Sequence, residues 1–169
     1  MRRNSKKKPR KGFNPSSSFM LQKTETDCGP TSVYNALVWL GCNPNQAIYD
    51  RLLKICKTDH EGTFTPDMNR ALRWAAKKWK FSCEYRPYAT ATEITNHIKK
   101  GGSAILGHNT PWELPPVPHY SFWFDFEDGN VLGANVKWRR LYAYVTTFQL
   151  RWIARTDGDV WLLKRELDE

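Results

Sequence analysis

Gln22-Lys23-Thr24-Glu25-Thr26-Asp27-Cys28-Gly29-Pro30-Thr31-Ser32 sets a cysteine where a polar loop gives way to a helical pattern. From Gly29 onward, Val33, Ala36, Leu37 and Leu40 recur at three- and four-residue spacing and Gly41 follows as a stop, so a helix is expected over 29–40. The first N–H groups of such a helix lack intrahelical acceptors and the dipole is positive there, which is expected to draw the Cys28 thiol toward the nucleophilic thiolate. Gly29 allows a tight turn, and Pro30 is tolerated because its missing N–H would be unpaired anyway. Gln22, six residues upstream, can present its side-chain amide to an oxyanion beside the Cys28 N–H. The plain alternative is a small buried cysteine and a surface glutamine.

Working outward, helices are expected over Gln46 to Cys56, over Thr65 to Trp79 with Thr65-Pro66-Asp67 as its capped start, and over Thr92 to Lys100 before Gly101-Gly102. Leu72, Ala75, Ala76 and Trp79 form a core stripe. The period then changes. Ala104-Ile105-Leu106 reads as a short strand, and Tyr120 to Phe126 as an aromatic buried one. Asp128-Gly129-Asn130 is a turn, Val131 to Ala134 the returning strand, and Arg140 to Val145 and Val160 to Lys164 are further strands. Helices first and antiparallel strands second predict an α+β domain with the N-terminal helices packed on a C-terminal antiparallel sheet.

The 169 residues fit one domain, and eight Trp, seven Tyr and eight Phe can fill its core. Hydrophobic residues make up 40% and charged ones 25%, which excludes a mainly disordered or fibrous chain, and no apolar stretch is long enough to span a bilayer. The net charge is +9, yet Arg2, Arg3, Lys6, Lys7, Lys8, Arg10 and Lys11 fall in residues 1–12 with no acid, leaving +2 for 13–169. Residues 1–18 are therefore expected to form a disordered basic tail and linker, with the folded domain over 19–169 and Phe19-Met20-Leu21 docking on it. The tail is either a solubilising extension or an arm for nucleic acid or another polyanion. It lacks the apolar segment of a secretory signal, so a cytoplasmic protein, or one enclosed in a virion, is expected. Cys28, Cys42, Cys56 and Cys83 form no CxxC pair, which argues against zinc, and a reducing compartment argues against bridges.

Asp27-Cys28-Gly29-Pro30 following Gln22 resembles the nucleophile box of papain-like cysteine peptidases, most closely the bacteriocin-processing peptidases that cut double-glycine leaders. His119, opening His119-Tyr120-Ser121-Phe122-Trp123-Phe124 after a Pro-rich loop, resembles that family's histidine. The family's third group, usually an aspartate, matches Asn135, and the hairpin can bring Asn135 beside His119. A carboxamide oxygen can still accept the imidazole N–H. The resemblance, over about residues 19–165, implies a papain-like fold, no cofactor or metal, a protein or peptide substrate, and amide cleavage through an acyl-enzyme with Cys28 as nucleophile, His119 as base, Asn135 as its orienter and Gln22 in the oxyanion hole.

His108 reads as a loop residue or one that lines the cleft, His60 as exposed, His97 as facing solvent, and Trp112 as either a cleft wall or a surface aromatic. Cys42, Cys56 and Cys83 read as packing residues. Two other functions stay open. One is a non-catalytic papain-like structural or interaction protein in a larger nucleic-acid-containing assembly, a virion or ribonucleoprotein, with residues 1–12 on phosphates. The other is thiol chemistry on a different amide, by transfer or deamidation.

Overall fold

Helix α1 (Cys28–Leu40) starts directly after Asp27 and ends as expected at Gly41, whose φ of 79° lets its N–H turn back onto the Val38 and Leu37 carbonyls. The computed structural model describes residues 18–110, 117–137, 140–156 and 158–166; the basic tail and linker through residue 17 and the Trp112 loop lie outside them. Helix α2 (Gln46–Ile55) is capped by the Asn45 side chain on the Ile48 N–H. Helix α3 (Thr65–Trp79) is capped one residue earlier than expected, at Phe64, because the Thr65 hydroxyl is committed to the Asp159 carboxylate. Helix α4 (Ala91–Lys99) starts from a capping box of Thr90 and Glu93.

Strands β1 (Phe81–Tyr85), β2 (Ser103–Asn109), β3 (Pro118–Glu127), β4 (Asn130–Lys137), β5 (Arg140–Thr146) and β6 (Val160–Arg165) form one sheet in the order β1-β6-β2-β3-β4-β5, with every neighbouring pair antiparallel. The expected α+β architecture is present. Two elements were not legible: β1, and helix α5 (Thr147–Thr156), which fills the gap between the last two strands. The β3–β4 hairpin closes on a two-residue Asp128-Gly129 turn with φ of 48° and 82°, the doubly positive geometry that matches strand twist.

The helices cover both faces of the sheet. Tyr120, Phe122 and Phe124 join Leu37, Leu52 and Leu72 in one core under α1 to α3, whereas Trp123 joins Ile94, Ile98, Leu150 and Ile153 under α4 and α5. A central strand buried on both sides carries a continuous apolar run instead of an alternating one, which is how Tyr120 to Phe124 reads. Phe19 docks edge-on against Phe122 and Phe124, and Asn35 clasps the main chain of Met20 through both of its amide atoms, at 2.7 and 2.9 Å. That clasp directs the chain toward Gln22.

Gly29 is needed for close packing and makes no turn of its own. A Cβ there would sit 2.9 Å from Thr63 Cβ and Oγ1 and 3.1 Å from Met68 Sδ. Gly29→Ala is expected to cost about 1–3 kcal/mol through overpacking, measured as a lower urea midpoint with an unchanged slope.

Candidate active site

The loop before α1 is pinned from behind. Asp27 Oδ2 accepts the Lys23 N–H at 3.1 Å and Oδ1 accepts the Thr24 N–H at 3.0 Å, while the Tyr49 hydroxyl donates to Oδ2 from α2. Asp27 stands at the helix N-cap position but makes no side-chain cap; its carboxylate organises the turn that carries Gln22 instead. Both residues are buried, and burial together with the bond to Asp27 holds the Tyr49 hydroxyl protonated.

Cys28 is 6% exposed. Burial pushes its thiol up to about 11, opposed by a hydrogen bond from the Tyr120 main-chain N–H, reinforced by the Asp27 carboxylate, and opposed again by the N–H groups of Gly29 and Cys28. This runs against the expectation that the helix start lowers the Cys28 pKa: desolvation outweighs the N–H groups there. The Tyr120 hydrogen bond sets the sulfur beside the residue that follows His119 in β3.

His119 and Asn135 do meet, as the hairpin reading expects, but through different atoms. His119 Nε2 lies 2.5 Å from the main-chain carbonyl oxygen of Asn135, so Nε2–H donates and the basic lone pair of the neutral ring is on Nδ1. The β4 ladder loses register between Ala134 and Lys137, and Asn135 takes a left-handed φ of 55°. This turns its side chain away from the ladder, onto Gln22. Asn135 Oδ1 accepts the Gln22 main-chain N–H at 3.2 Å, and Asn135 Nδ2 donates to Gln22 Oε1 at 2.9 Å. Gln22 Nε2 in turn donates to the Thr24 carbonyl at 2.9 Å. The main-chain donor at one end and the carbonyl at the other fix the orientation of both amides. Asn135 is fully buried and Gln22 is 6% exposed, so this clasp is shielded from water.

The sequence reading placed His108 in a loop, but it belongs to a strand. It lies on β2 directly opposite His119, fully buried, with ring centroids 5.4 Å apart. The signal was present in Gly107-His108-Asn109, which continues the strand of Ala104-Ile105-Leu106 without a breaker. His97 also departs from expectation: it is half-buried, and its Nε2 lies 2.8 Å from the Leu163 carbonyl of β6. His60 is exposed, and Cys56 is buried while Cys42 and Cys83 are half-buried, in keeping with packing roles. Among the described residues no helix is long and apolar enough to cross a membrane.

A six-stranded antiparallel sheet with the cysteine at the start of the helix crossing it and the histidine on its central strand is the papain-like peptidase fold. No family model and no curated protein matches the chain. Among solved structures it is similar to the peptidase domain of Streptococcus ComA, a bi-functional ABC transporter of a quorum sensing pathway, at 17% identity and a TM-score of 0.63, covering 88% of this chain and 98% of that one. A double glycine motif protease from an AMS/PCAT transporter, solved with its leader peptide, matches at 13% identity and a TM-score of 0.63, covering 88% and 91%. A C39-like peptidase from Bacillus anthracis matches at 10% identity and a TM-score of 0.65, covering 91% and 97%. At these identities the likeness establishes the fold, and the activity is argued from the site.

Proposed function

We propose that this chain is a cysteine peptidase that cleaves a peptide bond through Cys28 and His119. The observation that carries the reading is the buried hydrogen-bond chain Gln22–Asn135–His119, together with the hydrogen bond that Tyr120, next to His119 in β3, gives to the Cys28 sulfur. Cys28 gives its proton to His119 Nδ1, Sγ attacks the substrate carbonyl, and the oxyanion is met by the Cys28 N–H and by Gln22 Nε2 once it leaves the Thr24 carbonyl. His119 then protonates the departing amine, and a water activated by the same ring hydrolyses the thioester. Asn135 serves two partners: its main-chain carbonyl holds the His119 tautomer, and its side chain holds Gln22. The structural neighbour solved with a leader peptide makes double-glycine peptides the first substrates to try.

The test is alkylation by limiting iodoacetamide near neutral pH, with the adduct located by peptide mass spectrometry. Burial raises all four thiols, Cys28 and Cys42 to about 11 and Cys56 and Cys83 to about 12, so Cys28 is expected to label first only because the proposed pairing with His119 takes its proton. His119→Ala is expected to slow that labelling by about 30-fold or more, the gap between a paired thiolate and an ordinary thiol at neutral pH. Labelling spread evenly over the four cysteines would instead favour a non-catalytic domain.

The division of labour at Asn135 has its own consequence. Asn135→Ala keeps the carbonyl that orients His119 but frees Gln22, so Cys28 alkylation is expected to stay within about 10-fold of wild type while peptide turnover falls by about 100-fold. Equal losses in both assays would return the orienting role to the side chain.

A further inference from the structure

We propose that His108 is a positioning residue for His119: its ring, held by a buried hydrogen bond to Ser121 that Trp123 in turn supports, backs the His119 imidazole and keeps it in one orientation. This rests on the reading of Cys28 and His119 given above. His108 and His119 are register partners on β2 and β3, so their side chains share one face of the sheet. Their rings meet edge to face, 5.4 Å apart at 70°.

The bonds that hold His108 run in one direction. Trp123 Nε1–H donates to Ser121 Oγ at 2.8 Å, and Ser121 Oγ lies 2.8 Å from His108 Nε2. His108 Nδ1 faces the Asn109 carbonyl at 3.3 Å, so it carries the proton. A neutral imidazole has one N–H, which leaves Nε2 as the acceptor of the Ser121 hydroxyl. The Ser121 hydroxyl, itself accepting the Trp123 N–H, thus donates to the His108 ring. The far end of the chain is equally fixed, because a Cβ at Gly133 would come within 2.8 Å of the Trp123 ring.

His108 also stays uncharged while His119 gains and loses its proton. Burial holds it down to about 3, and a charge on His119 lowers it further. His119 is the titratable group that faces it across the strand pair. The nearby Asp159 touches β2 through its main-chain carbonyl, on the Gly107 N–H, while its carboxylate is engaged by the Tyr85 and Thr65 hydroxyls. A second imidazolium beside His119 would oppose the thiolate–imidazolium pair; a neutral ring does not.

The experiment follows both histidines in the full chain. In nitrogen-labelled wild-type protein, long-range proton–nitrogen spectra are expected to show His108 as the neutral Nδ1–H form from pH 8 to pH 5. A His108 that titrates near 6.5, or that carries its proton on Nε2, overturns the proposal. His108→Ala is expected to slow Cys28 alkylation by about 10-fold and to move its pH midpoint upward, with His108→Phe recovering most of both. A His108→Ala protein with the wild-type rate and pH profile overturns the proposal if His119→Ala still collapses the rate. If His119→Ala also keeps the wild-type rate, the peptidase reading falls instead. Should His108→Ala fail to fold, the wild-type spectra and the phenylalanine variant decide.

Discussion

Cys28→Ala is expected to reduce peptide hydrolysis to background, a loss on the order of a million-fold by analogy with removing the nucleophile of other acyl-transfer sites. Cys56, whose thiol feels the Cys28 charge, is itself fully buried and held up to about 12. The fold should survive, because alanine fills most of the space of a thiol at the helix start, at a cost of about 1 kcal/mol. The measurement is turnover of a double-glycine peptide beside a thermal melt. Retained turnover with a native melt would remove Cys28 from the mechanism, and with it the reading of the helix terminus as the reactive end.

Gln22→Ala is expected to lower kcat by roughly 100- to 1000-fold with a smaller change in KM, the signature of a donor that acts on the oxyanion and not on the ground state. The structure sharpens this expectation. At rest the Gln22 amide nitrogen donates to the Thr24 carbonyl and its oxygen accepts from Asn135, so both ends of the amide are occupied. Truncation removes the donor and also leaves the buried Asn135 amide without an acceptor, which costs about 1–3 kcal/mol. Steady-state kinetics and a denaturation curve separate the two effects. A variant with lower stability but wild-type kcat would make Gln22 a structural clasp alone and leave the Cys28 N–H as the oxyanion donor.

Much of this site was legible before any coordinates, because its parts are written in local patterns. The spacing of Val33, Ala36, Leu37 and Leu40 with Gly41 behind them defines α1 and places Cys28 at its first turn. Asp128-Gly129 demands a tight hairpin, and that hairpin brings His119 and Asn135 within reach of each other. What stayed hidden depends on residues distant in the chain. Helix α5 and strand β1 gain their stability by covering surfaces whose position no local pattern encodes, so their modest propensities were outvoted by tertiary packing.

The chemistry divides along the same line. The amino-acid sequence by itself determined which groups are available: a thiol at a helix start, an imidazole opening a central strand, and two carboxamides at Gln22 and Asn135. Tertiary structure decided how they are used. Burial, which depends on every element packed around Cys28, overrides the helix dipole and leaves the thiol protonated until a base acts. The irregular end of β4, with Asn135 at φ 55°, sends the Asn135 side chain to a glutamine 113 residues away and leaves only its main-chain carbonyl for His119. Desolvation and long-range hydrogen bonding are properties of the assembled fold, whereas helix starts and hairpin turns are properties of a few consecutive residues.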